Sequence, residues 1–343
     1  MRAVLGVLLT AGLLVGAVPA AAVDQQEPVV VCSLADQRLT EVSGLVADGE
    51  RWYAINDGGT KSVVYVLRRD CAVEKTITGP TDPYDVEDLA RTPDGTFWLA
   101  DTGDNDKKRD TVALIALTPA GKSKLYRLTY PDGPHDTEAL LVDRANVPYL
   151  ITKNPLGTAD IYRPTAELAS PGPTALQHVG QLRLTSTNTP GGPVTGLVGS
   201  VLVTGAASMA DGSVVAVRTY TEAYLWAVPN GDLLAALASE PVRVPLPNEQ
   251  QGEAIAFEPD GSLVSASEGA GTPVRIVSGA AALVAPEPPP VTETPAPQAA
   301  GGNGEAGAGE QDGDGLPTLP AIGLTVVIIG GSLLFLRRRR RRG

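Results

Sequence analysis

The sequence predicts an all-β protein, a β-propeller of five blades or six, held outside the cell by a stalk and a C-terminal transmembrane helix. Three observations predict it. Short β-type runs bounded by Gly, Pro and Asp recur through the middle of the chain, where helical periodicity is scarce. A signature that opens each unit returns at blade-sized intervals. The two ends carry apolar segments with opposite arrangements of charge.

Residues 1–22 place one positive charge, Arg2, before an apolar run and then Pro19-Ala20-Ala21-Ala22. That is the order of a secretory signal peptide cleaved near Ala22, and the run is short for a retained span. At the other end, residues 319–336 are uncharged and stop at six arginines, 337–342. At about 1.5 Å per residue they reach roughly 27 Å, enough to cross a hydrocarbon core. The arginines are a stop-transfer block that stays in the cytoplasm, so the folded part is exported and anchored by a single pass. The end also resembles a sortase-type sorting signal. However, Leu319-Pro320-Ala321-Ile322-Gly323 has Ile where that motif needs Thr, so membrane retention is the expectation and wall attachment the alternative.

Residues 286–315, nearly all Pro, Ala, Gly, Glu, Gln and Asp, have too little apolar content to pack and read as a disordered stalk. Residues 23–285 remain as the ectodomain. The signal peptide and tail hold seven of the 27 basic residues and none of the 39 acidic ones, which leaves the exported part near −19. Such a surface argues against nucleic acid and anionic lipid and is compatible with cations. Cys32 and Cys71 have no metal-like spacing, and in an oxidising compartment they predict one structural disulfide.

The signature opens the first strand of each unit: Glu41-Val42-Ser43-Gly44-Leu45, Asp85-Val86-Glu87-Asp88-Leu89, Asp136-Thr137-Glu138-Ala139-Leu140, weakly Thr204-Gly205-Ala206-Ala207, and Gln251-Gly252-Glu253-Ala254-Ile255. Three copies lead into Asp-Gly turns, at Asp94-Gly95, Asp211-Gly212 and Asp260-Gly261, a strong hairpin signal. Aligned on Ser43, Glu87, Glu138, Ala206 and Glu253, the spacings are 44, 51, 68 and 47, a blade's length apart from the long third gap. That gap holds a large loop or part of a sixth blade. A β-sandwich would not explain the repeat. The strand at Val29 to Cys32 has no partner in the first unit. It is expected to complete the last blade, which brings Cys32 beside Cys71.

In a propeller the first strand of each blade lines the channel and the second runs back, so first-strand starts and second-strand ends share one face. The unusual polar residues fall at those two places. The starts supply Glu41, Asp85, Glu87, Asp88, Asp136, Glu138 and Glu253; the ends supply Asn56-Asp57-Gly58-Gly59, Asp101-Thr102-Gly103-Asp104-Asn105, Lys153-Asn154, Arg218 with Tyr220, and Glu268. Clustered carboxylates with Asn suit a hard cation, calcium above all, and the candidate ligands are Asp57, Asp85, Asp101, Asp104, Asn105 and Asp136. The same residue types also cap turns with no ion present. Glu87 or Glu138 could activate water, with Lys153 and Arg218 holding a substrate. His135 at the mouth is a further base or ligand candidate, while His178 reads as incidental. No Gly-x-Ser-x-Gly, His-Glu-x-x-His or phosphate-binding glycine loop occurs.

The run of Asn56-Asp57-Gly58-Gly59, Asp85-Val86-Glu87-Asp88, Asp101 to Asn105 with Arg109, Tyr130-Pro131-Asp132-Gly133 and Asp136-Thr137-Glu138-Ala139 resembles bacterial secreted propellers of the phytase-like (esterase-like) group. The resemblance implies a calcium-supported phosphoester or ester hydrolase. Three functions follow as expectations: a surface propeller that binds an extracellular ligand or protein through an acidic mouth, a metal-dependent hydrolase using that mouth, or a purely structural envelope protein.

Overall fold

The computed structural model describes residues 27–194 and 197–284. The signal peptide, the stalk and the anchor of the sequence reading lie outside them. The chain divides at residues 285/286, and the described residues belong to the first unit. No helix among them is long and apolar enough to cross a membrane.

Strand β1 (Val29–Ser33) opens the chain. The first meander is β2 (Val42–Ala47), β3 (Trp52–Asn56), β4 (Ser62–Leu67) and β5 (Val73–Gly79); the second is β6 (Val86–Arg91), β7 (Phe97–Asp101), β8 (Val112–Leu117) and β9 (Ser123–Thr129). The third is β10 (Thr137–Val142), β11 (Pro148–Thr152), β12 (Thr158–Pro164) and β13 (Thr174–Arg183). The fourth is β14 (Val203–Ser208), β15 (Val214–Thr219), β16 (Glu222–Ala227) and β17 (Val242–Pro245); β18 (Gly252–Phe257), β19 (Leu263–Ser267) and β20 (Pro273–Val277) close the chain. Each meander is an antiparallel sheet in sequence order, and β1 adds to β20 to make the last a four-stranded β1-β20-β19-β18 sheet. The outer strands β9 and β13 pair in parallel and join the second and third meanders into one eight-stranded sheet.

The architecture is all-β and propeller-like. First strands β2, β6, β10, β14 and β18 touch in turn, and β18 returns to β2. The innermost strands are apolar on both faces because sheet packs against sheet on either side. β14 and β18 show it, with only Ser208 incompletely buried. The core therefore lies as a set of layers between neighbouring sheets. One holds Leu45, Trp52 and Leu67 with Ala254 and Val264; another holds Ile151 and Ile161 with Val217 and Trp226.

The expected closure occurs: β1 pairs antiparallel with β20, and Cys32 is bonded to Cys71 with Cα atoms 5.8 Å apart. In the chain-entropy view, a bridge across 39 residues adds about 4 kcal/mol. The third gap holds no further sheet among the described residues. Its described residues, 184–194 and 197–202, hold no strand, and the segment is fastened to its neighbours by the bonds from Leu184 N–H to the Gly157 carbonyl and from Gly192 N–H to the Glu249 carbonyl.

Starts of first strands and ends of second strands do share a face, here called the mouth. Both described ends of the chain lie at the opposite face. β1 runs toward the mouth and β20 away from it, and Ala281, just beyond β20, donates its N–H to Gly261 in the turn between β18 and β19.

Candidate functional site

Every first strand carries a β-bulge at the same level. Pairing with the second strand slips between Val42 and Gly44, Val86 and Asp88, Thr137 and Ala139, Val203 and Gly205, and Gly252 and Ala254. The residues left over are Ser43, Glu87, Glu138, Thr204 and Glu253, all buried. A bulge re-aims one side chain, so a single repeated position brings three glutamates to the mouth. In the fourth meander this position is Thr204, which corrects the alignment on Ala206 by two residues. The opening there has no acid to align on.

Asp57, Asp85 and Glu87 each present a carboxylate oxygen within 4.8 Å of the others, a group that can hold a metal ion. Asp57 follows β3 and is fixed by its N–H, which donates to the Glu41 carbonyl at 2.8 Å. Gly103 makes the room. A Cβ there would overlap Glu87 Oε1 and stand 2.5 Å from Asp85 Oδ2. The donors are all hard oxygens, which fit a cation such as calcium. Three protein ligands leave about half of a shell of roughly six to eight open to water or a ligand.

The other expected ligands stand apart from this group. Asp101 Oδ1 accepts the N–H groups of Tyr84 (3.1 Å) and Asp85 (2.8 Å) and pairs with Arg109 at 3.1 Å. Asp104 accepts N–H groups of Lys108 and Arg109 at 2.9 and 2.8 Å. Asp136 Oδ1 accepts the Asp104 N–H at 2.8 Å, and Asn105 is exposed. The 101–109 loop is thus a hydrogen-bonded frame that holds Asp85 and Gly103 in place. Arg109 belongs to the frame, donating to the carbonyls of Gly103 (2.8 Å) and Asp101 (3.0 Å).

Across the mouth, Lys153 Nζ lies 2.9 Å from Glu138 Oε1 and 5.2 Å from the centre of the Tyr220 ring. Glu253 accepts from Gln251 Nε2 at 3.0 Å and is hydrogen-bonded to Glu268. Burial pushes Glu138 up to about 8, against the pull of Lys153 and with the help of Asp136 and Glu253. Burial likewise pushes Glu268 up to about 7, with Asp57 and Glu41 adding to it, and holds Glu253 well above the carboxylate range. For Lys153, burial works downward, but Glu138, Tyr220, Asp136 and Glu253 outweigh it and hold the ammonium well above its ordinary value. At neutral pH this half of the mouth therefore carries fewer negative charges than carboxyl groups.

Arg218, read from sequence as a substrate-holding cation, is a correction. It is fully buried, and each nitrogen is engaged: Nε with the Thr219 carbonyl, Nη1 with Ala254 and Ala266, Nη2 with Tyr220 and with Glu249 Oε2 at 2.7 Å. Asp88 is also internal. Its carboxylate accepts N–H groups of Leu89, Leu140 and Ala206, which ties β6, β10 and β14 together at the centre. His135 faces Asp132 and Tyr162 at the flank of the third meander.

No family model matches the chain, and no curated protein matches it. Solved structures match in outline. Virginiamycin B lyase from Staphylococcus aureus does so at 14% identity and a TM-score of 0.36, over 69% of this chain and 66% of that one. A candidate gluconolactonase matches at 14% identity and 0.41, over 71% and 77%. The soluble aldose sugar dehydrogenase from Escherichia coli matches at 12% identity and 0.41, over 74% and 99%.

Proposed function

We propose that this protein is an exported, surface-tethered propeller of five blades that binds calcium at Asp57, Asp85 and Glu87 and, through the ion's open positions, an extracellular ligand or protein. The observation that carries the reading is Gly103, the one residue of its loop whose missing side chain leaves space for two of the three carboxylates. Calorimetric titration of the purified protein with calcium tests it. Micromolar binding is expected, weakened at least about 30-fold in Asp85→Asn and in Gly103→Ala. A protein that takes up no calcium would sink the proposal.

A second reading, a metal-dependent ester or phosphoester hydrolase, follows the phytase-like resemblance. The hydrogen-bonded Glu253–Glu268 pair favours it, since a carboxyl near 7 can give or take a proton beside a bound ion. Arg109 and Arg218 are engaged internally and Lys153 is paired with Glu138, so an uncharged ester suits the mouth better than a phosphate. Calcium-dependent turnover of a nitrophenyl ester, lost in Glu87→Gln, is its expected sign. Binding without turnover would leave the first reading standing alone.

A further inference from the structure

Both histidines of the chain stand against one tyrosine. His135, in the loop between β9 and β10, and His178, on β13, have ring centres 5.1 and 5.3 Å from that of Tyr162 on β12. They are not equivalent. His178 Nε2 pairs with Asp160 Oδ1 at 2.9 Å, and Gln181 donates to the same oxygen at 2.8 Å, a closed arrangement at the surface. His135 Nε2 instead lies 3.0 Å from Asp132 Oδ1 and 3.0 Å from Tyr162 Oη, while Tyr162 Oη lies 2.7 Å from Asp132 Oδ2. The Tyr130 ring closes the third side, its centre 5.0 Å from that of His135 and 4.9 Å from that of Tyr162, with its hydroxyl turned away to Thr137.

An imidazole nitrogen, a carboxylate and a phenol oxygen thus converge, with separations of 2.7–3.0 Å. Donors about 2.0–2.1 Å from an octahedral ion stand about 2.9 Å apart along an edge. His135 Nε2 and Tyr162 Oη span such an edge, and Asp132 reaches its two ends with different carboxylate oxygens, one of which can complete a facial set. We propose that Asp132, His135 and Tyr162 form a second metal site, one that takes a borderline transition-metal ion on a facial nitrogen–oxygen set. Its chemistry differs from that of the all-carboxylate group at the mouth. Imidazole and phenolate favour ions such as copper(II), zinc or iron over calcium and magnesium. Binding exchanges protons for the ion without redox change: neutral His135 coordinates through Nε2, ionised Asp132 through an oxygen, and the Tyr162 hydroxyl releases its proton to solvent. Burial and the neighbouring Asp132 hold that hydroxyl's pKa far above its ordinary value, so a strongly Lewis-acidic ion is required. The ion can enter past Asp132, whose side chain is half exposed. Once bound it would fasten the loop that leads to Asp136, and so to the frame of the mouth, onto β12.

Copper(II) is the probe, since it heads the affinity order for such donors. It is titrated into metal-free, tag-free protein and followed by calorimetry and by visible absorption. One equivalent is expected, with a phenolate-to-metal charge-transfer band. Tyr162→Phe should abolish the band. His135→Asn, at a ring that is 19% exposed and lies outside the buried core clusters, should weaken binding at least about 100-fold. His178→Asn should change neither, and Asp85→Asn should leave the band in place. No binding, binding without the band, or a band that depends on His178 or Asp85 would overturn the site. If Tyr162→Phe fails to fold, the His135→Asn and His178→Asn pair decides by itself.

Discussion

Lys153 and Arg218 both stand near the mouth end of a second strand in neighbouring meanders, two positions apart in the repeat, and they perform different work. Arg218 pairs opposite Gly205, where the third meander has Ile151 opposite Ala139, whereas Lys153 takes the position of Tyr220. Arg218 is fully buried with its partner Glu249, and backbone carbonyls take the rest of its donors. Lys153 keeps 12% of its side-chain surface open, has one carboxylate partner and lies over Tyr220. The difference teaches that two steps along a strand end separate an internal cation from one at the mouth. An arginine whose planar fork is saturated is an internal strut, whereas a lysine with one partner remains a charge that the mouth can use. Arg218→Met should have the largest effect. It leaves Glu249 buried with Ser265 and Arg275 as its remaining partners. A loss of about 3–5 kcal/mol is expected in urea unfolding. A loss under about 1 kcal/mol would mean that the strut is no strut, and the comparison would collapse.

The strand plan was legible because alternating apolar runs and Asp-Gly turns report directly on sheet. The unpaired strand at Val29 pointed to the ring closure that β1 makes with β20. Loop chemistry was harder to read. Asp101 and Asp104 look the same in a sequence whether they bind an ion or accept backbone N–H groups, and only the direction of those N–H groups decides. Gly103 gave no sign of its importance, because the close approach of Glu87 and Asp85 comes from a bulge on a different strand. Arg218 did leave a signal. It continues the apolar run Val214-Val215-Ala216-Val217, and a strand buried on both faces has no open side for a charged group.

On the mouth side, pH should act next most strongly. Glu268, near 7, and Glu138, near 8, hold their protons more tightly folded than unfolded. Stability from them is complete below the ordinary glutamate range and drains away as pH rises through those values. Unfolding followed from pH 5 to pH 8 should therefore show falling stability, with Glu268 contributing on the order of 3 kcal/mol. Glu268→Gln should remove that share of the slope, leaving the share of Glu138, with the pH 5 value nearly unchanged. A slope undiminished in the variant would place the protons elsewhere.

Lys153→Met gives the smallest effect on stability and the sharpest test of the contrast with Arg218. Removing the ammonium does not strand a buried charge, because Glu138, already lifted to about 8, can keep its proton at neutral pH. A loss of about 1 kcal/mol or less is expected, several-fold below that of Arg218→Met. The binding consequence has the opposite sign. With a positive charge gone from the mouth, its field becomes more negative, and calcium affinity should rise about two- to five-fold at low ionic strength. That gain should shrink toward physiological salt if the two halves of the mouth are joined through solvent, and persist if they are joined through the low-dielectric interior. A variant that unfolds as readily as Arg218→Met, with no gain in affinity, would make Lys153 a second strut.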